Sequence, residues 1–112
     1  MTLPLFSYGT LQQRGVQLAT FGREIASRPD TLPGYRLDVL TITVPGVVDV
    51  SGSAEHPIAT ATGDTDDVIA GTVMTLTAEE LAAADRYEVD EYTRMDVLLS
   101  SGARAWAYVA RR

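Results

Sequence analysis

Ten residues late in the chain, Asp85-Arg86-Tyr87-Glu88-Val89-Asp90-Glu91-Tyr92-Thr93-Arg94, carry six charged groups and two tyrosines. Alanine and leucine ahead of them favour a helix, and the residues from Arg94 onward alternate as a strand does. Carboxylates therefore fall at a helix C-terminus, where the partial negative charge of the helix end disfavours them. Residues set against local preference are expected at functional sites. A glutamate in such a place can accept a proton and hand it on, if burial lifts its pKa toward about 6–7. The same residues also read as a solvated acidic loop with its tyrosines packed on a sheet. Taken alone, the segment favours the solvated loop.

A second candidate lies at the other end of the chain. The apolar run Leu3–Ser7 meets Tyr8-Gly9-Thr10-Leu11. Glycine there permits a sharp turn, and the backbone N–H groups of such a turn can hold a carboxylate or an oxyanion. A simple turn after a strand is the alternative.

Other chemistries have little material. The chain has no cysteine and one histidine, His56, which precedes Pro57 in an expected loop. Thiolate nucleophiles and cysteine-ligated zinc are excluded. No metal and no cofactor are expected. The net charge is −6, with no lysine among the nine basic residues, which argues against nucleic acid, whose phosphates need clustered cations. Leu3-Pro4-Leu5-Phe6 is too short to span a membrane and lacks a basic leader, so a cytoplasmic location is the default expectation. Oligomeric state stays open, a homodimer included.

The elements that must position these residues read as follows. The 112 residues suit one domain over residues 1–112. Strands are expected at Leu3–Ser7, Arg23–Ser27, Tyr35–Leu40, Val68–Leu76, Arg94–Leu99 and Arg104–Ala110, with turns at Arg28-Pro29-Asp30 and Leu32-Pro33-Gly34. Ser100-Ser101-Gly102-Ala103 marks a hairpin. A short helix over Val16–Phe21 is closed by Gly22. Thr77 with Glu80 forms a capping box that starts a second helix, running to about Asp85. Residues 41–66 read as loops around short strands at Gly46–Asp49 and Pro57–Thr60. Gly71, inside a strand, signals a bulge or a close backbone approach. Trp106 and Tyr108 share one face of the last strand, and Ala105, Ala107 and Val109 the other; the aromatics read as core in preference to pocket lining. Many strands with one confident late helix point to an α+β domain, a curved mixed sheet or small open barrel with a flanking helix.

Three pieces in order resemble the γ-glutamylcyclotransferase-like (AIG2-like) family. They are the strand into Tyr8-Gly9-Thr10-Leu11, the strand Val68-Ile69-Ala70-Gly71-Thr72-Val73, and Asp85-Arg86-Tyr87-Glu88 followed by Tyr92, Arg94 and Val97. The resemblance implies a small mixed-sheet β-barrel with flanking helices. It implies a small-molecule γ-glutamyl substrate, an amine, amide or peptide, cyclised to 5-oxoproline. Glu88 would be the acid/base, and Tyr8, Gly9, Thr10 and Leu11 would bind the glutamyl end. Tyr92 is a further candidate pocket wall, and Arg94 a candidate partner of Glu91 or Asp96. The chain departs from the family pattern at Gln12-Gln13-Arg14-Gly15, where Asn-His is common, at Ala84, where leucine is common, and at Met74, where an aromatic residue is usual. A binding module without turnover on the same fold, or acid/base chemistry on another amide, are the competing readings.

Overall fold

The computed structural model describes residues 2–41, 55–88 and 91–111. Among the described residues, seven strands and two α-helices follow in the order β1 (Leu3–Ser7), α1 (Arg14–Phe21), β2 (Ser27–Pro33), β3 (Tyr35–Thr41), β4 (Glu55–Ala61), β5 (Val68–Leu76), α2 (Ala78–Tyr87), β6 (Tyr92–Leu98) and β7 (Arg104–Ala110). A 3-10 turn, Thr10–Gln12, joins β1 to α1.

Five strands form one mixed sheet in the order β2-β5-β1-β7-β6. The short β1 sits at its centre, antiparallel to β5 and parallel to β7. Strands β3 and β4 form a separate antiparallel pair. The α+β class is as expected, but the large sheet is open, with β2 and β6 as its edges. It curls without closing. The β6–β7 turn reaches the β2 edge, where Ser100 N–H donates to the Thr31 carbonyl at 2.9 Å and the Ser101 hydroxyl to Asp30 at 2.6 Å.

Alternation along the strands divides the core between the two faces of the sheet. Leu5, Met74 and Tyr108 pack with Val16 of α1 and Leu81 and Ala84 of α2. Phe6, Val73, Ala105, Ala107 and Val109 pack on the other face with Leu32, Ala59 and Ile69. The expected split of the last strand is therefore present, with Trp106 beside Tyr108 on the helical face.

The helix signals operate as local chemistry requires. Glu80 N–H donates to the Thr77 hydroxyl at 3.1 Å, and Thr77 N–H to the Glu80 carboxylate at 2.9 Å. The same carboxylate takes two bonds from Arg23, at 2.6 and 2.9 Å, which tie the end of α1 to the start of α2. Gly22 closes α1 at φ 77°, a conformation that costs glycine little.

Three expectations need correction. The strand placed at Arg23–Ser27 begins at Ser27 and runs through the expected Arg28-Pro29-Asp30 turn. Strand β2 is an edge of the sheet, with β5 as its ladder neighbour, and an edge tolerates a proline that lacks its N–H. His56 lies in strand β4, opposite Leu40, and not in a loop. Helix α2 continues past Asp85 to Tyr87. The strand expected at Gly46–Asp49 falls outside the described residues.

Gly71 marks a close approach and not a bulge, because the β2–β5 register is continuous through it. A Cβ at Gly71 would stand 2.4 Å from the Ser7 carbonyl oxygen and 2.7 Å from Phe6 Cζ.

Candidate functional site

Glu88 follows the last turn of α2. Its N–H still bonds to the Ala84 carbonyl at 3.1 Å, while its ψ of 143° turns the chain out of the helix. The residue is half-buried. Burial raises its carboxyl from the ordinary glutamate value to about 7, because the charged form loses solvation there. Near neutral pH the group therefore divides between acid and carboxylate.

The chain leaves β1 at Ser7 and enters the 3-10 turn through Gly9. As the opening residues of that turn, Gly9, Thr10 and Leu11 have N–H groups without a partner inside it. The turn is held from several sides. Leu11 is buried in the helical-face core. The buried Gln17 of α1 donates to the Leu11 carbonyl at 2.9 Å and accepts from Ile25 N–H at 2.9 Å. Thr10 Oγ1 lies 2.5 Å from the Tyr87 hydroxyl, so the turn is bonded directly to α2.

Tyrosines complete the walls. The Tyr8 hydroxyl donates to the Tyr108 carbonyl at 2.5 Å and accepts from Ala59 N–H at 2.9 Å. The Tyr92 hydroxyl donates to the Pro57 carbonyl at 2.6 Å. Burial, with the neighbouring Glu88 charge among the lesser causes, pushes the phenols of Tyr8, Tyr92 and Tyr108 well above their ordinary value. They are neutral hydrogen-bonding walls at any physiological pH.

Two cavities meet at Glu88. A narrow one, about 20 Å³, is lined by Phe6 to Leu11, Pro57, Glu88, Tyr92 and Tyr108. A wider and more open one, about 340 Å³, is lined by Asp85, Glu88, Tyr92, Thr93, Arg94, Tyr108 and Arg111. Glu88, Tyr92 and Tyr108 belong to both. The structure thus brings Tyr8, Gly9, Thr10, Leu11, Glu88 and Tyr92 around one narrow space, although up to 84 positions separate them, counted from Tyr8 to Tyr92.

Arg94 pairs with neither Glu91 nor Asp96. Its Nε and Nη2 reach the two Asp85 oxygens at 2.9 and 3.1 Å, and its guanidinium carbon lies 4.6 Å from the centre of the Trp106 ring. Asp96 pairs with Arg104 instead, across the hairpin. Sequence reasoning also missed Gln17, Pro57 and Tyr87 as parts of the site, and Tyr108, read as core in preference to pocket wall, lines both cavities. Gln17 left one signal, a polar residue inside the apolar run Val16–Phe21. Among the described residues, no group of three acidic or histidine side chains comes together that would hold a metal ion, and no helix is long and apolar enough to cross a membrane.

A family model described as "Gamma-glutamyl cyclotransferase, AIG2-like" matches residues 5–112. Solved structures share the fold. Two are solution structures of Arabidopsis thaliana proteins, each 20% identical, with TM-scores of 0.70 and 0.74 over 98% and 99% of this chain. A third is a gamma-glutamyl cyclotransferase, 14% identical, with a TM-score of 0.75 over 100% of this chain. The chain spans 62%, 70% and 68% of the length of these three. Among curated proteins nothing matches the chain.

Proposed function

The chain belongs to the gamma-glutamyl cyclotransferase, AIG2-like family, and from that membership we propose that it cyclises a γ-glutamyl amine, amide or peptide to 5-oxoproline. The observation that carries the reading is Glu88. Its carboxyl titrates near neutrality and lines the same narrow space as the Gly9-Thr10 turn.

The reaction needs a base that becomes an acid. A substrate α-amine has a pKa of roughly 8 or above, so near neutral pH it arrives mostly as ammonium and cannot attack. The Glu88 carboxylate takes a proton from it. The freed nitrogen attacks the γ-carbonyl carbon, a C–N bond forms, and negative charge develops on the carbonyl oxygen. The Gly9, Thr10 and Leu11 N–H groups are the donors available for that oxygen. Glu88 then gives its proton to the leaving nitrogen and the old C–N bond breaks. The proton shed by the ring nitrogen departs with the amine, which leaves as ammonium.

A carboxyl near pKa 7 serves both halves, because each protonation state is populated at working pH. The nucleophile is part of the substrate, so the enzyme supplies none. The substrate lies across both cavities, with its scissile amide at the wall they share.

The test is 5-oxoproline release from a panel of γ-glutamyl amines, amides and peptides, with Glu88→Gln as control. Glu88→Gln is expected to lower turnover about 10²–10⁴-fold, the usual share of a general base, with thermal unfolding nearly unchanged. Full turnover in that variant would sink the assignment. Tight binding of a small γ-glutamyl compound with no turnover across the panel would make the chain a binding module on this fold.

A further inference from the structure

Asp85 stands three residues before Glu88, and Arg94 pairs with Asp85 from β6. All three line the wider cavity. The Asp85 carboxylate is fully engaged. It takes both prongs of the Arg94 guanidinium and also the Tyr108 hydroxyl, at 2.6 Å. The same guanidinium lies over the Trp106 ring.

We infer that Asp85 is a positioning residue for the site: by holding Arg94 on itself, it keeps that guanidinium off the Glu88 carboxyl. The inference rests on the reading of Glu88 as acid/base for its functional meaning, although not for its physical test.

Stability does not explain the pair. The Arg94 and Asp85 side chains are 30% and 40% exposed, and ion pairs that open to solvent contribute little. Their location is more informative. Among the described residues lining the wider cavity, Glu88 is the other carboxyl that Arg94 has available. Burial is the cause that raises Glu88 to about 7. An unpaired guanidinium within a few ångströms would pull a carboxyl back down by roughly 1–3 units. It would also hold the carboxylate in a salt bridge, unable to turn toward a substrate amine.

The other titratable or charged groups that share a cavity with Glu88 are Tyr8 from the end of β1, Tyr92 on β6, Tyr108 on β7 and Arg111 after β7, while Tyr87 and Glu91 act on Tyr92. The Arg111 guanidinium donates to the Tyr92 carbonyl at 3.1 Å. None of these changes in the variants below, so differences between them isolate the Asp85–Arg94 pair.

The experiment is a side-chain carboxyl titration of the full chain by NMR, using ¹³C-labelled glutamate and Glu88→Gln to assign the resonance. Asp85→Asn keeps an acceptor for Tyr108 and removes the charge. It is expected to lower the Glu88 midpoint by about one unit. Arg94→Gln leaves Asp85 unneutralised and is expected to raise the midpoint. The double variant Asp85→Asn/Arg94→Gln is expected to return it close to its starting value. The acid limb of kcat/KM should follow the same three shifts. A Glu88 midpoint that does not fall in Asp85→Asn, or that stays low in the double variant, would overturn the inference. If Asp85→Asn does not fold, a midpoint that fails to rise in Arg94→Gln overturns it equally. Undiminished turnover in Glu88→Gln would instead remove the acid/base reading, and the titration would still decide whether Asp85 shields the carboxyl.

Discussion

The Tyr8 hydroxyl donates to the backbone carbonyl of Tyr108, 2.5 Å away and 100 residues further along the chain. The same oxygen accepts from Ala59 N–H. One phenol therefore joins β1, β4 and β7 at the mouth of the narrow cavity. Removing the phenol would take this partner from both groups, and a buried polar group left unserved is costly.

Tyr8→Phe keeps the ring and removes the hydroxyl. It leaves the Tyr108 carbonyl and Ala59 N–H unserved, at an expected cost of about 1–3 kcal/mol. Urea unfolding followed by circular dichroism measures this. A loss below about 0.5 kcal/mol would mean that water replaces the phenol without penalty.

The Glu88 titration carries a stability signature whose sign can be worked out. Its folded pKa, about 7 against the ordinary 4.5, means that the folded state holds its proton more tightly than the unfolded state. Between those two values the folded state binds more protons, so stability falls as pH rises, by up to about 1.4 kcal/mol per pH unit. Glu88→Gln removes that slope. The stability of the variant relative to the parent should therefore increase steadily from pH 4.5 to pH 7, and level off on either side. A constant difference across this window would mean that Glu88 has an ordinary pKa.

Gly71→Ala places a Cβ against the Ser7 carbonyl oxygen at 2.4 Å and against Phe6. A real Cβ does not occupy such a position, and one of the contacts is backbone, so β1 must shift. Overpacking of this kind costs about 1–3 kcal/mol. Because Phe6 and Ser7 line the narrow cavity, kcat/KM should fall together with Tm. A variant with a lowered Tm and full activity would show that the shift stays on the far side of β1.

Gln17→Leu is nearly isosteric and apolar, and it strands the Leu11 carbonyl and Ile25 N–H inside the core. The expected loss is about 1–3 kcal/mol per stranded group. The 3-10 turn would lose its inner anchor, so KM should rise more than kcat falls. Equal changes in both would indicate global loosening and not displacement of the turn.

Local chemistry in the sequence located β1, β5, the capped start of α2 and the β6–β7 hairpin, because strand alternation, the capping box and the turn residues act within a few positions. Strand β2 was hidden by Pro29, which reads as a turn unless the strand is known to be an edge. The open sheet could not be told from a barrel, since closure depends on how far seven strands curl together. Arg94 was matched to near neighbours in sequence, whereas its partner Asp85 lies across the junction between α2 and β6. The resemblance singled out Glu88 and the Tyr8–Leu11 turn. Gln17, Tyr87 and Tyr108 belong to the same site through contacts 6 to 100 residues apart, which no local pattern encodes.

Strand β1 is synthesised before both of its ladder partners, residues 68–76 and 104–110. During synthesis its backbone must wait for about 100 further residues before both of its sides are bonded. Loop closure over such distances slows folding and lengthens exposure of unpaired strand edges. The final hairpin is therefore the step that completes both the sheet and the pocket. Ribosome-stalled chains that stop short of Arg104 should present a sticky, protease-sensitive first strand and no ligand site.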